Sequence, residues 1–297
     1  MEQPISPLAF GDLIAIVAPA KSIEAPLVEA AKTFFENAGY TVVVGAHCTG
    51  QYHYFSGSEE ERLRDFQWAL DHPEVKAIVC ARGGYGCIQL VDRINWAGQL
   101  SQPKWILGFS DVTVFHQRMQ RFGVESIHAT MPLNFATNTS ASLASMLDSL
   151  TGTQSEIHWN PHPKNKLGTA EGIVVGGNLS ILYSLLGTDD QVDYTDKILF
   201  IEDLSEQIYH IDRMFYAFAK AGILDKIKGV IVGGMTDLKD TAIPFGRSYE
   251  DVLLSHFSFR KIPLSFDFPA GHIDDNRAII LGRKARLSVT TEGCSFY

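Results

Sequence analysis

The chain has 297 residues, a formal net charge of −9 and 45% hydrophobic residues. This length suits one large or two medium domains with a sizeable core. The acidic balance, with no run of Lys or Arg, argues against nucleic acid as a partner. No apolar stretch approaches membrane-spanning length, and residues 1–7 lack the features of a signal peptide. The four cysteines have neither metal-ligand spacing nor the density of a secreted disulfide framework, so we expect a cytoplasmic protein without a bound metal.

The first half of the sequence alternates short apolar runs with helical patterns. The apolar runs predict strands buried on both faces, over residues 13–18, 40–44, 75–81 and 105–109. Residues 24–38 have helical periodicity, and Ser58 with Glu61 forms a capping box that opens a second helix. This alternation predicts an α/β domain over residues 1–150, built on a parallel sheet covered on both faces. Ligands bind such sheets outside the carboxyl ends of the strands.

The second half of the sequence is less regular. Residues 151–168 are polar and contain two prolines, which predicts a linker. Residues 169–297 mix strand and helix patterns and predict a smaller α+β domain. Near its end, residues 278–281 and 285–289 around Gly282 resemble a β-hairpin.

Ser110 follows the strand 105–109, at the point where the period changes from strand to helix. A serine on such a turn can act as a nucleophile, with the amide of Asp111 facing the developing oxyanion. The alternative is that Ser110 only caps the helix. The loop after the third strand contains Gly83 and Gly84, whose amides can approach an anion, although a tight turn would also explain them. This loop lacks a complete nucleotide-binding motif, so we expect no nucleotide cofactor.

A nucleophilic serine needs a base and an orienting acid. His272 lies in a loop after a predicted strand, and His128 ends the strand that follows Ser110 in the sequence. Glu202 and Asp203 end the strand 198–201, and only one of them can readily face a given site because strand side chains alternate. The residues alone do not decide between His272 and His128 as the base, or between Glu202 and Asp203 as the acid. Ordinary packing or solvent exposure would also explain these side chains.

Five segments together resemble the LD-carboxypeptidase family of serine peptidases over nearly the whole chain: residues 82–86, 108–111, 176–179, 199–203 and 271–272. The resemblance implies a Rossmann-like N-terminal domain and a catalytic triad at the interface with the smaller C-terminal domain. In that triad Ser110 is the nucleophile, His272 the base and Glu202 the acid. The amides of Asp111 and of the loop containing Gly83 and Gly84 would form the oxyanion hole.

The resemblance also implies a reaction, the release of the terminal D-alanine from a murein tetrapeptide during cytoplasmic cell-wall recycling. The enzyme would pass through an acyl-enzyme and need no cofactor. Its partner would be a small peptide with a free carboxylate, and the substrate-binding candidates are Arg82, Tyr85, Asn178 and Arg213. A homodimer is the oligomeric state that the family suggests.

Three other functions compete with this one. A microcin C self-immunity peptidase would cleave a peptidyl-nucleotide and would need an aromatic or basic loop, which the sequence does not clearly show. An α/β-hydrolase esterase shares the order serine, acid, histidine, but residue 112 is Val where its motif has Gly. A non-catalytic ligand-binding protein on the same fold would use Ser110 only as a helix cap.

Overall fold

The computed structural model describes residues 5–297, so residues 1–4 of the segment examined for a signal peptide lie outside it. Its first sheet contains five mutually parallel strands: β1 (Leu13–Val17), β2 (Thr41–Val44), β3 (Val75–Cys80), β4 (Trp105–Gly108) and β5 (Ser126–His128). A sixth strand, β11 (Ile279–Leu281), pairs antiparallel with β5. The sheet order is β2-β1-β3-β4-β5-β11. The predicted α/β fold with a parallel first sheet is confirmed.

The second sheet has seven strands and mixed direction. They are β6 (Ile157–Trp159), β7 (Gly168–Asn178), β8 (Ile198–Leu204), β9 (Gly229–Thr236), β10 (Leu264–Ser265), β12 (Lys284–Val289) and β13 (Cys294–Phe296). Their order is β10-β9-β8-β7-β12-β13-β6, with β7 to β10 parallel and the other pairs antiparallel. The segment 151–168, predicted as a linker, therefore also contributes the edge strand β6. The division into two domains at this segment stays a prediction.

Nine α-helices connect the strands within the described residues: α1 (Ala25–Asn37), α2 (Glu59–Asp71), α3 (Cys87–Leu90), α4 (Ala97–Ser101), α5 (Thr113–Arg121), α6 (Ser140–Leu150), α7 (Leu179–Ser184), α8 (Ile208–Lys220) and α9 (Tyr249–Phe257). The capping box is present at α2. The Glu61 amide donates to Ser58 Oγ at 3.3 Å, and the Ser58 amide donates to Glu61 Oε2 at 2.8 Å. These bonds satisfy two amides that a helix start leaves free.

Helix α5 joins the first sheet to the second. Its first residue, Thr113, accepts a hydrogen bond from the amide of Asn178 at the end of β7, at 3.0 Å. One turn further, the Gln117 side chain donates to the carbonyl of Gly176. A side chain at Gly177 would lie 2.6 Å from Thr113 Oγ1, so a glycine is needed for this close approach. Because α5 starts three residues after Ser110, this contact brings the second sheet close to the predicted nucleophile.

The hairpin predicted around Gly282 is wrong. Strand β11 pairs with β5 in the first sheet, whereas β12 pairs with β7 and β13 in the second. The chain passes from one sheet to the other at Gly282, whose φ of +88° suits glycine. The Arg283 side chain, next along, pairs with the Glu125 carboxylate just before β5, at 2.7 Å. Two apolar runs around a glycine indicate a reversal in the chain but not the partner of each strand.

Candidate active site

Ser110 lies on a strained turn at the carboxyl end of β4. It has a φ of +63°, which is uncommon for a residue with a side chain, and it begins a short 3₁₀ turn before α5. The N-cap position of that turn is Phe109, and no side chain caps it. The helix-cap explanation of Ser110 therefore fails, because its hydroxyl bonds to none of the free amides of the helix start. Backbone strain of this kind is concentrated at functional sites.

The glycine loop after β3 packs directly against this turn. A Cβ built on Gly83 would lie 3.0 Å from Ser110 Cβ and 3.3 Å from both Ser110 Oγ and the Asp111 amide nitrogen. No side chain fits there without displacing the serine. The backbone at Gly83 and the amide of Asp111 therefore both lie close to Ser110.

Two buried charges hold the far end of the glycine loop. Asp111 Oδ2 accepts a hydrogen bond from the Cys87 amide at 2.9 Å. Arg62, on α2, donates to the Gly86 carbonyl at 3.3 Å and to the Pro19 carbonyl at 2.7 Å. The single peptide unit between Gly86 and Cys87 is thus bound at its oxygen by a cation and at its nitrogen by a carboxylate. Burial raises the pKa of Asp111, and the Cys87 hydrogen bonds and the Arg62 charge oppose that rise.

Sequence reasoning identified the amide of Asp111 but missed its side chain, and it missed Arg62 entirely. A usable signal was the position of Arg62 on the helix face that also carries Phe66 and Leu70. All three side chains are buried. An arginine on an apolar helix face is rarely buried without hydrogen-bond partners, so this position indicates a buried polar contact.

His272 and Glu202 form a close hydrogen-bonded pair. His272 Nδ1 donates to Glu202 Oε2 at 2.6 Å, and Glu202 is completely buried. Gly271 makes this approach possible, because a Cβ there would lie 2.7 Å from Glu202 Cβ and the residue has a φ of +105°. The imidazole ring packs on Phe109, with ring centres 4.8 Å apart. Since Phe109 directly precedes Ser110, the pair lies beside the nucleophile turn.

The environment of His272 favours its protonated form. Burial alone would lower its pKa, but the charge of Glu202, the hydrogen bond to Glu202 and the charge of Asp203 together raise it above the ordinary value. An imidazole with this pairing can accept a proton and keep it as a stabilised imidazolium.

The two alternatives left open by the sequence have other surroundings. His128 is fully buried, neither of its ring nitrogens has a partner among the described residues, and burial lowers its pKa well below the usual value. Asp203, the next residue after Glu202 along β8, has other partners: Oδ2 accepts from the Ser180 amide at 2.9 Å and Oδ1 from Asn178 Nδ2 at 3.0 Å. Burial, followed by the charge of Glu202, raises the pKa of Asp203 to about 7.

The four substrate-binding candidates occupy different places. Arg82 and Tyr85 lie on the glycine loop, where Arg82 donates to the Ser22 carbonyl at 2.9 Å and Tyr85 is exposed. Asn178 is buried, and its amide group is engaged in the start of α7 and in the bond to Asp203. Arg213 lies exposed on α8, with its guanidinium 5.2 Å from the ring centre of Tyr209. Only the two loop residues flank the glycines next to Ser110.

A small cleft opens beside His272. It has a volume of about 210 Å³ and is lined by Phe109, Asn134, Asn138, Leu204, Gly271, His272, Ile273 and Asp274. Within residues 5–297 no group of three or more His, Cys, Asp or Glu side chains is arranged to hold a metal ion. None of the helices described here has the length and apolar character needed to cross a membrane.

Comparison with known proteins identifies the family. The model of the LD-carboxypeptidase N-terminal domain matches residues 14–129, and that of the C-terminal domain matches residues 171–287. A putative carboxypeptidase of Synechocystis sp. is 31% identical over 99% of this chain and 97% of its own length. The murein tetrapeptide carboxypeptidase of Pseudomonas aeruginosa is 30% identical, over 92% of each chain.

A solved structure agrees with these matches. The muramoyltetrapeptide carboxypeptidase of Oxalobacter formigenes has the same fold with a TM-score of 0.87, at 26% identity, covering 96% of this chain and 97% of that one. Fold, chain coverage and both domain models therefore lead to one conclusion. The chain belongs to the LD-carboxypeptidase family of peptidases.

Proposed function

We propose that this chain is a serine LD-carboxypeptidase that hydrolyses the L,D-peptide bond before the terminal D-alanine of murein tetrapeptides. The observation that carries the proposal is the 2.6 Å hydrogen bond between His272 and the buried Glu202, packed against the residue that precedes Ser110. Relatives named murein tetrapeptide carboxypeptidase support the substrate class.

Each group has a role in the proposed reaction. An ionised Glu202 can only accept a hydrogen bond, so His272 carries its proton on Nδ1 and leaves Nε2 free to act as the base. Nε2 takes the proton of Ser110 Oγ while the oxygen attacks the scissile carbonyl. The oxyanion then receives hydrogen bonds from the amides of Asp111 and of the loop containing Gly83 and Gly84.

The same imidazole completes the reaction. The imidazolium returns its proton to the nitrogen of the leaving D-alanine, and the acyl-enzyme on Ser110 is hydrolysed by water that His272 deprotonates. Glu202 stabilises the positive ring in both halves of the cycle. Its burial makes this charge interaction stronger than it would be in water.

D-Alanine release is the test of this function. The substrates are L-Ala–γ-D-Glu–L-Lys–D-Ala and its diaminopimelate counterpart, each incubated with the wild type and with Ser110→Ala. Release by the wild type alone supports both the reaction and the nucleophile. Release by neither enzyme refutes the proposal, and an acyl-sulfamoyl adenylate then tests the peptidyl-nucleotide alternative.

The proposal includes two further statements: the protein is cytoplasmic, and it forms a homodimer. The four buried, unpaired cysteines suit a reducing compartment, which supports the first statement. The family membership supports the second. Fractionation of the native cells and light scattering of the purified protein test the two statements separately. Recovery outside the cytoplasm or a monomeric mass contradicts the corresponding statement.

A further inference from the structure

Two cations lie beside the glycine loop and have no carboxylate partner in the described part of the chain. The amide of Lys21 donates to the carbonyl of Gly83 at 3.3 Å, and Lys21 Nζ lies 4.9 Å from the ring centre of Tyr54. Arg82 bonds only to a carbonyl, that of Ser22. Both cations are therefore attached to the loop whose Gly83 packs on Ser110.

The two cations lie in a protein that is acidic as a whole. The chain has 34 acidic and 25 basic residues, so carboxylates are in excess over the whole surface. Two partnerless cations next to a nucleophile create a local positive field in an otherwise negative protein, and such a field attracts anionic ligands.

The position of Lys21 is set before any ligand arrives. A Cβ built on Gly84 would lie 2.8 Å from the Tyr54 hydroxyl and 3.0 Å from Lys21 Cβ, so both side chains cover this glycine. The face of an aromatic ring attracts an ammonium group and restricts its movement. A restricted side chain loses less entropy on binding, which increases affinity for a matching anion. Tyr54 itself is 42% exposed, so the surface is open to a ligand.

We propose that Lys21, together with Arg82, binds a carboxylate of the peptide substrate. This inference rests on the proposed function, because that function places a peptide with free carboxylates at Ser110. Three carboxylates have the required chemistry. They are the terminal carboxylate of D-alanine, the free α-carboxylate of the γ-linked D-glutamate, and the additional carboxylate that diaminopimelate has and lysine lacks at the third position.

Binding measured without turnover tests the proposal. In the Ser110→Ala background, titration calorimetry compares Lys21 with Lys21→Gln on three ligands: the lysine tetrapeptide, the same peptide ending in D-alaninamide, and the diaminopimelate tetrapeptide. Loss of a charge-assisted contact weakens binding by roughly 10- to 100-fold. Lys21→Arg should restore most of the affinity. Lys32→Gln is the matched control, because Lys32 lies on α1 with its Nζ 4.0 Å from Glu36 Oε1. This variant should leave the affinity for all three ligands unchanged.

The pattern across the ligands decides the outcome. If Lys21→Gln weakens binding of the two tetrapeptides that end in D-alanine but not of the D-alaninamide peptide, Lys21 is assigned to the terminal carboxylate. If it weakens binding of the diaminopimelate tetrapeptide alone, Lys21 is assigned to the third residue. Equal loss on all three ligands that Lys21→Arg restores assigns Lys21 to the D-glutamate carboxylate, which all three share. Any other pattern, including no loss at all, a loss that Lys21→Arg does not restore, or no measurable binding, overturns the proposal. If the peptides bind with one of these three patterns but the wild type releases no D-alanine, the proposed function fails while the carboxylate subsite stands.

Discussion

Replacing Glu202 by Gln should reverse the pKa shift of His272. In the wild type the largest influence on this imidazole is burial, which lowers its pKa, and the charge and hydrogen bond of Glu202 are the main influences that overcome it. A glutamine removes the charge and keeps the burial. The pKa of His272 should therefore fall from above its ordinary value to below it.

Two kinetic effects follow from this change of sign. The acid limb of kcat/KM should move to lower pH, because the variant imidazole stays neutral in more acidic solution. The plateau should fall by about 10²- to 10⁴-fold, because an amide NH₂ facing Nδ1 favours the wrong tautomer and no longer stabilises imidazolium.

Stability should respond with its own pH dependence. The folded-state pKa of His272 is raised, so the pair contributes stability that is fully present below the unfolded value near 6.5 and is lost as pH rises through the folded pKa. Glu202→Gln should remove this contribution. The difference in unfolding free energy between wild type and variant should therefore be larger at acidic than at alkaline pH.

The assay is kcat/KM for D-alanine release across a pH series, with urea unfolding at the same pH values. Asp203→Asn is the matched control, because Asp203 is the neighbouring buried carboxylate on β8, bonds to the Ser180 amide and contributes only the smallest of the influences on His272. It should retain most of the activity and nearly the same acid limb. An acid limb that stays in place or moves up in Glu202→Gln would refute the reasoning.

Three further substitutions probe the nucleophile turn and its support. Ser110→Ala should abolish D-alanine release yet change the unfolding free energy by less than about 1 kcal/mol, because the hydroxyl caps no helix; measurable turnover would contradict its role. Gly83→Ala should lower kcat at least about tenfold by displacing Ser110. Gly98→Ala is the control and should leave kcat unchanged, because the nearest neighbour of its new Cβ would be 3.6 Å away. Equal kcat values in the two variants would argue against the contact between Gly83 and Ser110. Arg62→Met should destabilise the fold by about 1–3 kcal/mol in urea titrations, since it leaves the carbonyls of Pro19 and Gly86 without their donor. Purely additive losses with Asp111→Asn would contradict the coupling of the two residues.

The local sequence determined most of the elements of this protein. Apolar runs and helical periods report how a short segment is buried, and they located β1, β3, β4 and the capped start of α2 within a residue or two. The change of period at Ser110 placed this serine correctly on a strand-to-helix turn. The family resemblance selected Glu202 over Asp203 and His272 over His128, a choice that the residues themselves left open.

Only the tertiary structure decided which distant residues meet. It showed that Ser110 has a positive φ and caps nothing, that Arg62 and Asp111 hold one peptide unit of the glycine loop, and that Lys21 lies against Gly83. It also separated β11 from β12 into different sheets. Local patterns describe the burial of a segment but carry no information about its partner, because contacts between distant segments depend on the path of the whole chain and on packing that forms only when the sheets come together.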